Sequence, residues 1–239
     1  MKNWKDLFSR QILMFKQTLF NSPIKIYWTW FVWSNFAYTL SKTGFKYFFL
    51  TDPDIVKEHN LLNQCFWNYK DLNKVEALKN YLSDNASYDL NIFTFPTWLE
   101  EQLLQIPLEE NDIVLIATDN IESRINFINY VIENWDNKNL RKTTFLFVNT
   151  NNEVIYMAIT KNNKDFFIKM KKNLLELNSN NSTDWLCWEK SSFYLWNLIS
   201  GYLISEIRKI DNQSFEDYTS EILFEIKNNK FNYEFKWNS

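Results

Sequence analysis

Residues 24–52, IKIYWTWFVWSNFAYTLSKTGFKYFFLTD, set the frame on which the rest of the chain is built. Ile24–Trp28 reads as a buried strand, roughly 31–42 as a helix, and Lys46–Leu50 as a second strand. Gly44 stands at the helix exit, where a left-handed C-cap is wanted, and is one of only 2 glycines in the chain. Strand, tight turn, helix, strand is how a nucleotide-binding α/β fold opens. In such folds a glycine-rich loop after the first strand brings main-chain N–H groups up to a phosphate. Here the loop reads W-T-W-F-V-W, residues 28–33, so Trp28, Trp30, Phe31 and Trp33 stand where close backbone approach is needed. Any Cβ at that place obstructs the approach. Each indole can bury about 150–250 Å², enough for several together to fill the cleft themselves.

The pattern continues as alternating strands and helices. Residues 72–84 form an amphipathic helix with Val75, Leu78 and Leu82 inward, Leu90–Phe95 a short strand and Trp98–Gln105 a helix. Asp112–Ala117 is a continuous apolar strand of the kind buried on both faces. A helix over 121–134 and strands over 143–148 and 153–160 follow. Short links between alternating elements predict an α/β fold: a Rossmann-like, doubly wound, mostly parallel sheet with helices on both faces. After Lys161 come a polar helix (165–177), an Asn/Ser-rich loop, a long apolar helix (192–210) carrying Gly201, and a C-terminal antiparallel hairpin. The hairpin's strands alternate through Ile222, Phe224, Ile226 and Phe231, Tyr233, Phe235, Trp237 about an Asn228-Asn229 turn. Residues 1–239 read as one domain: N-terminal helices over 1–20, a nucleotide-binding-type core over 21–160, and the remainder over 161–239.

Composition narrows the function. The net charge is −3 with no basic block, which excludes an electrostatic case for nucleic acid or a membrane surface. Lys25, Ser34, Asn35, Lys42 and Lys46 interrupt the apolar run of residues 24–50, so it does not span a membrane. Cys65 and Cys187 are the only cysteines and form no C-x-x-C pair, so no metal site is expected. With no signal sequence in the first twenty residues, the chain is expected in the cytoplasm.

Four short segments occur in a fixed order: FSRQILMF (8–15), LTDPDIVKEHNLLNQ (50–64), NKVEALKN (73–80) and ATDNIESR (117–124). This order resembles the ThiF/MoeB family, adenylating enzymes that share a fold with ubiquitin-activating enzymes. That family shows R-Q-I near its start, G-x-G-G-x-G after the first strand, D-x-D then N-L-x-R-Q, a K-V-E helix, and T-D-N-x-x-x-R. The resemblance covers nearly the whole chain and implies roles by position. Asp52 would hold the ATP ribose, Lys74 would contact phosphates, and Asp119 would bind magnesium or orient the acyl group. Arg10 would reach in trans into the site of a dimer partner. The departures are the aromatic loop and Asn63, which stands where the family has a phosphate-binding arginine and removes a bidentate donor.

Each of these residues also has an ordinary structural role. Asp119-Asn120 can N-cap the helix at Ile121, Asp52 and Asp54 can be turn residues beside Pro53, and Lys74 can be a solvated cation on an amphipathic helix. His59 has no catalytic partner in view. Cys187, between Leu186 and Trp188, suits a small packed residue. The family resemblance with a lost glycine loop implies a non-catalytic, pseudoenzyme subunit. It would form a homodimer, or a heterodimer with an active family member, bind a ubiquitin-like protein or peptide substrate, and need no cofactor. The alternatives are an active adenylyltransferase that uses ATP and magnesium in an altered pose, and a stand-alone peptide-binding homodimer.

Overall fold

All four residues of β1 (Ile24–Tyr27) are buried, as a strand covered on both faces requires. The computed structural model describes residues 18–28, 31–58, 68–116, 118, 120–150, 154–179, 193–212, 217–227 and 230–238. The chain divides into two compact units, residues 1–102 with 192–214 and residues 103–191 with 215–239. The expected N-terminal helix lies outside the described residues up to 17. Its end, Leu19–Asn21, is a single 3₁₀ turn with Phe20 buried.

In the first unit β1 is joined by β2 (Tyr47–Thr51) and β3 (Asn91–Phe95), all parallel and in the order β3-β2-β1. Between β1 and β2 runs α1 (Phe31–Thr43), whose Trp33, Phe36, Ala37 and Leu40 recur at helical spacing and are at most 1% exposed. The helix stops at Gly44, which takes φ 117°. The N–H groups of Gly44 and Phe45 both donate to the Leu40 carbonyl, a closure that a side chain at Gly44 would strain. The Tyr88 hydroxyl reaches the carbonyls of Ser41 (2.5 Å) and Phe45 (2.7 Å) and fixes the same exit. Burial raises the pKa of that hydroxyl, so it remains a donor. Next, α2 (Lys74–Asn85) packs on β3 and α1 with Val75, Leu78 and Leu82 inward, and α3 (Leu99–Gln105) follows β3.

In the second unit β4 (Ile113–Ile116) is also buried at every position and pairs parallel with the fifth strand, after α4 (Ile121–Glu133) and α5 (Lys138–Lys142). The five-residue α5 is too short to show a period in the sequence. Asn137 caps it, its Oδ1 accepting from Asn139 N at 3.0 Å. From β5 (Thr144–Thr150) onward every pairing is antiparallel, through β6 (Val154–Lys161) and, beyond α6 (Lys164–Ser179) and α7 (Phe193–Asn212), β7 (Tyr218–Lys227) and β8 (Lys230–Asn238). The strand order here is β4-β5-β6-β7-β8. The antiparallel part is therefore larger than the terminal hairpin the sequence predicts, because β7 pairs with β6 as well as with β8. The Asn228-Asn229 turn lies outside the described residues. An aromatic core joins α6 to β5: Phe145 and Phe167 meet edge to face at 5.1 Å, and Phe147 tilts against Phe166 at 5.8 Å.

The fold is α/β, Rossmann-like and doubly wound, with a mostly parallel sheet that continues into antiparallel strands. Among the described residues no helix is long and apolar enough to cross a membrane. In the first unit α7 packs on α1 and carries the exposed Gly201, where an added Cβ meets nothing within 4 Å. Gly201→Ala is expected to raise stability by about 0.5–1 kcal/mol, since the helix then carries less chain entropy to lose. A lower thermal midpoint for this variant would show that a neighbour needs the space.

Candidate nucleotide-type site

In open α/β sheets ligands bind beyond the carboxyl ends of the parallel strands. In the first unit those ends carry Trp28 after β1, Asp52 after β2, and Thr97-Trp98 after β3. Backbone hydrogen bonds tie them together: Trp28 N donates to Thr51 O at 2.7 Å, and Asp52 N donates to Phe95 O at 3.2 Å.

Trp28 takes φ 79°, the left-handed region that glycine favours and a side chain resists. It is 7% exposed, and its ring packs against Trp98 at 5.6 Å with a 42° tilt. Its Nε1–H is buried with no hydrogen-bond partner among the described residues. Trp98 is 51% exposed. The local sequence marks Trp98 only as the start of a helix, because its ring partner lies seventy residues away. Trp33 is fully buried in α1 and meets Phe36 edge to face at 5.7 Å. Phe31 opens α1, its side chain lying outside the described residues, as do Arg10, Trp30, His59, Asn63, Asp119 and Cys187.

The polar part of the site is a three-residue cluster. Asp52 is fully buried, and its Oδ1 accepts from Asp54 N at 2.8 Å, the local geometry of a turn. Lys74 begins α2, so the β2–α2 connection brings it back to the aspartates. Its Nζ lies 2.6 Å from Asp54 Oδ2 and 3.8 Å from Asp52 Oδ2, with the lysine side chain only 4% exposed. Lys74 N also donates to Asp54 O at 2.9 Å. The reading of Lys74 as a solvated cation is thereby corrected: desolvating an ammonium is costly, and two carboxylates meet that cost here. Among the described residues the ammonium is thus already engaged by carboxylates. Beside it Thr94 Oγ1 donates to Glu76 Oε1 at 2.5 Å, which seats the glutamate of the K-V-E motif against β3.

The second unit holds the T-D-N-x-x-x-R stretch. Asn120 caps α4, its Oδ1 accepting from Glu122 N at 2.7 Å, which is the capping role read from the sequence. Arg124 is 8% exposed, and its Nε donates to Thr118 O at 2.5 Å, clamping the loop before the helix. Another ionisable group here is Tyr156, whose hydroxyl is raised by burial first and then by the charge and hydrogen bond of Glu221. Lys169 Nζ sits 3.2 Å from Glu221 Oε1. This trio closes on itself as a structural network. Among the described residues no group of three or more His, Cys, Asp or Glu is placed to hold a metal ion.

A family model described as the ThiF family matches residues 32–182. Among curated proteins no significant match is found. Among solved structures, E. coli MccB with ATP aligns at TM-score 0.68 and 15% identity, over 97% of this chain and 71% of that one. E. coli MccB with MccA-N7isoASN aligns at TM-score 0.65 and 14% identity, over 100% and 73%. PaaA aligns at TM-score 0.68 and 14% identity, over 99% and 84%. At such identities the likeness to these structures is one of fold.

Proposed function

The chain belongs to the ThiF family, and from that premise we propose that it is a non-catalytic member. On this reading it dimerises with or scaffolds an active adenylating partner and helps to hold a ubiquitin-like or peptide substrate. The observation that carries the reading is Trp28. Its backbone keeps a glycine-type conformation, yet the residue is a tryptophan with only 7% exposure. A triphosphate needs main-chain N–H groups within hydrogen-bond reach at that turn, and a buried indole takes up the approach. Asp52, the residue that would hold a ribose, is fully buried, and Lys74 is engaged by two carboxylates.

A subunit without its own chemistry still contributes geometry. Arg10 would act in trans on the partner's site, and the chain would present a docking surface for the substrate. The resemblance in fold to MccB, solved with MccA, supports a peptide as the substrate class. The test is calorimetric titration with ATP and magnesium to millimolar concentration. The expected trace shows no saturable heat; a saturable isotherm would overturn the reading.

The second reading is an active adenylyltransferase with an altered nucleotide pose, using ATP and magnesium. It is favoured by the buried Lys74, held in place beside Asp52 and Asp54, an arrangement that costs desolvation to keep. Adenylate exchange with a measurable rate would establish it and make Asp52, Lys74 and Asp119 the residues to substitute next.

A further inference from the structure

We propose that the open edge of β3 seats a second copy of this chain, which adds its own β3 antiparallel in a register centred on Phe93. The inference lies outside the strand ends already described and does not depend on whether the chain adenylates.

Main-chain bonding shows which groups the edge leaves open. Asn91 N donates to Lys46 O at 2.8 Å, and Asp52 N donates to Phe95 O at 3.2 Å. With Phe49 opposite Phe93 in the parallel register, Asn91, Phe93 and Phe95 turn their N–H and C=O groups to β2. Ile92 and Thr94 therefore point theirs away from the sheet, since these groups alternate sides along a strand. Among the described residues β3 ends its side of the sheet, and no strand meets those groups.

The edge also lacks the usual guards. Its sequence, NIFTF, has no charge and no proline, and its register with β2 runs unbroken from Asn91 to Phe95. By contrast β8, the edge strand of the second unit, carries Lys230, Glu234 and Lys236, charges of the kind that keep an edge single. Phe93 is 47% exposed and stacks on Phe49 at 4.8 Å with a 23° tilt. An ordered pair of rings thus reaches from β2 to an uncovered edge.

The strand is its own complement. Turned about a two-fold axis at Phe93, Ile92 of one copy falls opposite Thr94 of the other, so the outward groups of each both donate and accept. Phe93 then faces Phe93 of the second copy in a non-hydrogen-bonded pair, the closer of the two antiparallel spacings. The ring pair continues across the axis, and neither strand brings a charge to it. A pairing this short falls below the roughly 1,000 Å² of a stable interface, so the association is weak and concentration-dependent.

The test is disulfide trapping of the purified chain with oxidised glutathione. At a non-hydrogen-bonded pair the Cα atoms lie about 4.5 Å apart, within disulfide reach. Position 91 instead faces position 95 of the second copy, roughly 13 Å from its own counterpart. Phe93→Cys is expected to give covalent dimer at least ten-fold faster than Asn91→Cys, with the wild-type chain setting the background from Cys65 and Cys187. Equal rates would overturn the proposal. So would a Phe93→Cys yield no higher than background, which is also the result if the edge takes a foreign extended segment. If Phe93→Cys does not fold, Ile92→Pro serves, because the N–H it removes points outward and the pairing with β2 survives. Sedimentation is expected to show self-association weakened at least ten-fold in that variant. A wild-type chain that stays monomeric, or self-association unchanged by Ile92→Pro, overturns the proposal.

Discussion

Lys74→Ala is expected to lower the unfolding free energy by about 3–5 kcal/mol, the usual cost of removing one partner from a buried ion pair. The ammonium lies between a fully buried carboxylate and a half-exposed one, Asp52 and Asp54. Asp54 can turn to water when the lysine is gone. Asp52 cannot, because its carboxylate is sealed and one oxygen is committed to Asp54 N. The loss is therefore assigned to the removal of the ammonium from beside the buried Asp52 carboxylate, and a second substitution tests that assignment. In Lys74→Ala with Asp52→Asn the buried charge is absent, so the double variant should be less damaged than the two single losses added together, by more than about 1 kcal/mol. Denaturant unfolding of the four proteins measures the cycle. Strict additivity would mean that the 3.8 Å pairing contributes nothing and that the Asp54 contact alone seats the lysine.

The same cluster bears on function. A lysine freed for phosphate contact would stand exposed at the cleft, and this one is closed in on itself. Calorimetry on Lys74→Ala separates the two readings of the site. On the non-catalytic reading the substitution changes stability and leaves nucleotide silence untouched. On the active reading it removes whatever ATP binding the wild type has.

The frame of the fold is legible in the sequence because its signals are local. The boundaries of β1, α1 and β2 follow from apolar periodicity and from Gly44, and they agree with the structure to within a residue or two. The capping by Asn120 is legible for the same reason, since cap and helix are adjacent. What escapes is set by partners far along the chain. Lys74 looks like an ordinary surface lysine until the fold sets it against Asp52 and Asp54. Trp98 gains its meaning only from Trp28, and β6 shows its two antiparallel neighbours only once the residues near 220 have returned to it. Aromatic residues at the loop announce that a glycine loop is lost, but not that Trp28 would keep the glycine's backbone conformation.

Trp33→Ala is expected to be as costly as any single substitution in the first unit, about 3–5 kcal/mol for an indole deleted from a packed interior. The side chain is fully buried on the inner face of α1, against Phe36. Alanine favours the helix more than tryptophan does, but that gain is about 0.5 kcal/mol and does not offset the cavity. For a chain of 239 residues the loss corresponds to a fall of about 6–20 °C in the midpoint of the transition that includes this unit. Trp33→Phe divides the cost. The buried Nε1–H of Trp33 makes no hydrogen bond among the described residues, so phenylalanine removes an orphaned donor together with part of the ring. Its net effect should stay below about 1.5 kcal/mol, the range for swaps that keep shape and apolar character. If Trp33→Phe instead proves as damaging as Trp33→Ala, the indole nitrogen has an acceptor in solution, and Trp33 belongs with the polar part of the site. Near-wild-type stability in Trp33→Ala would mean that α1 does not pack through this residue, and the core of the first unit would have to be redrawn around Phe36 and Leu40.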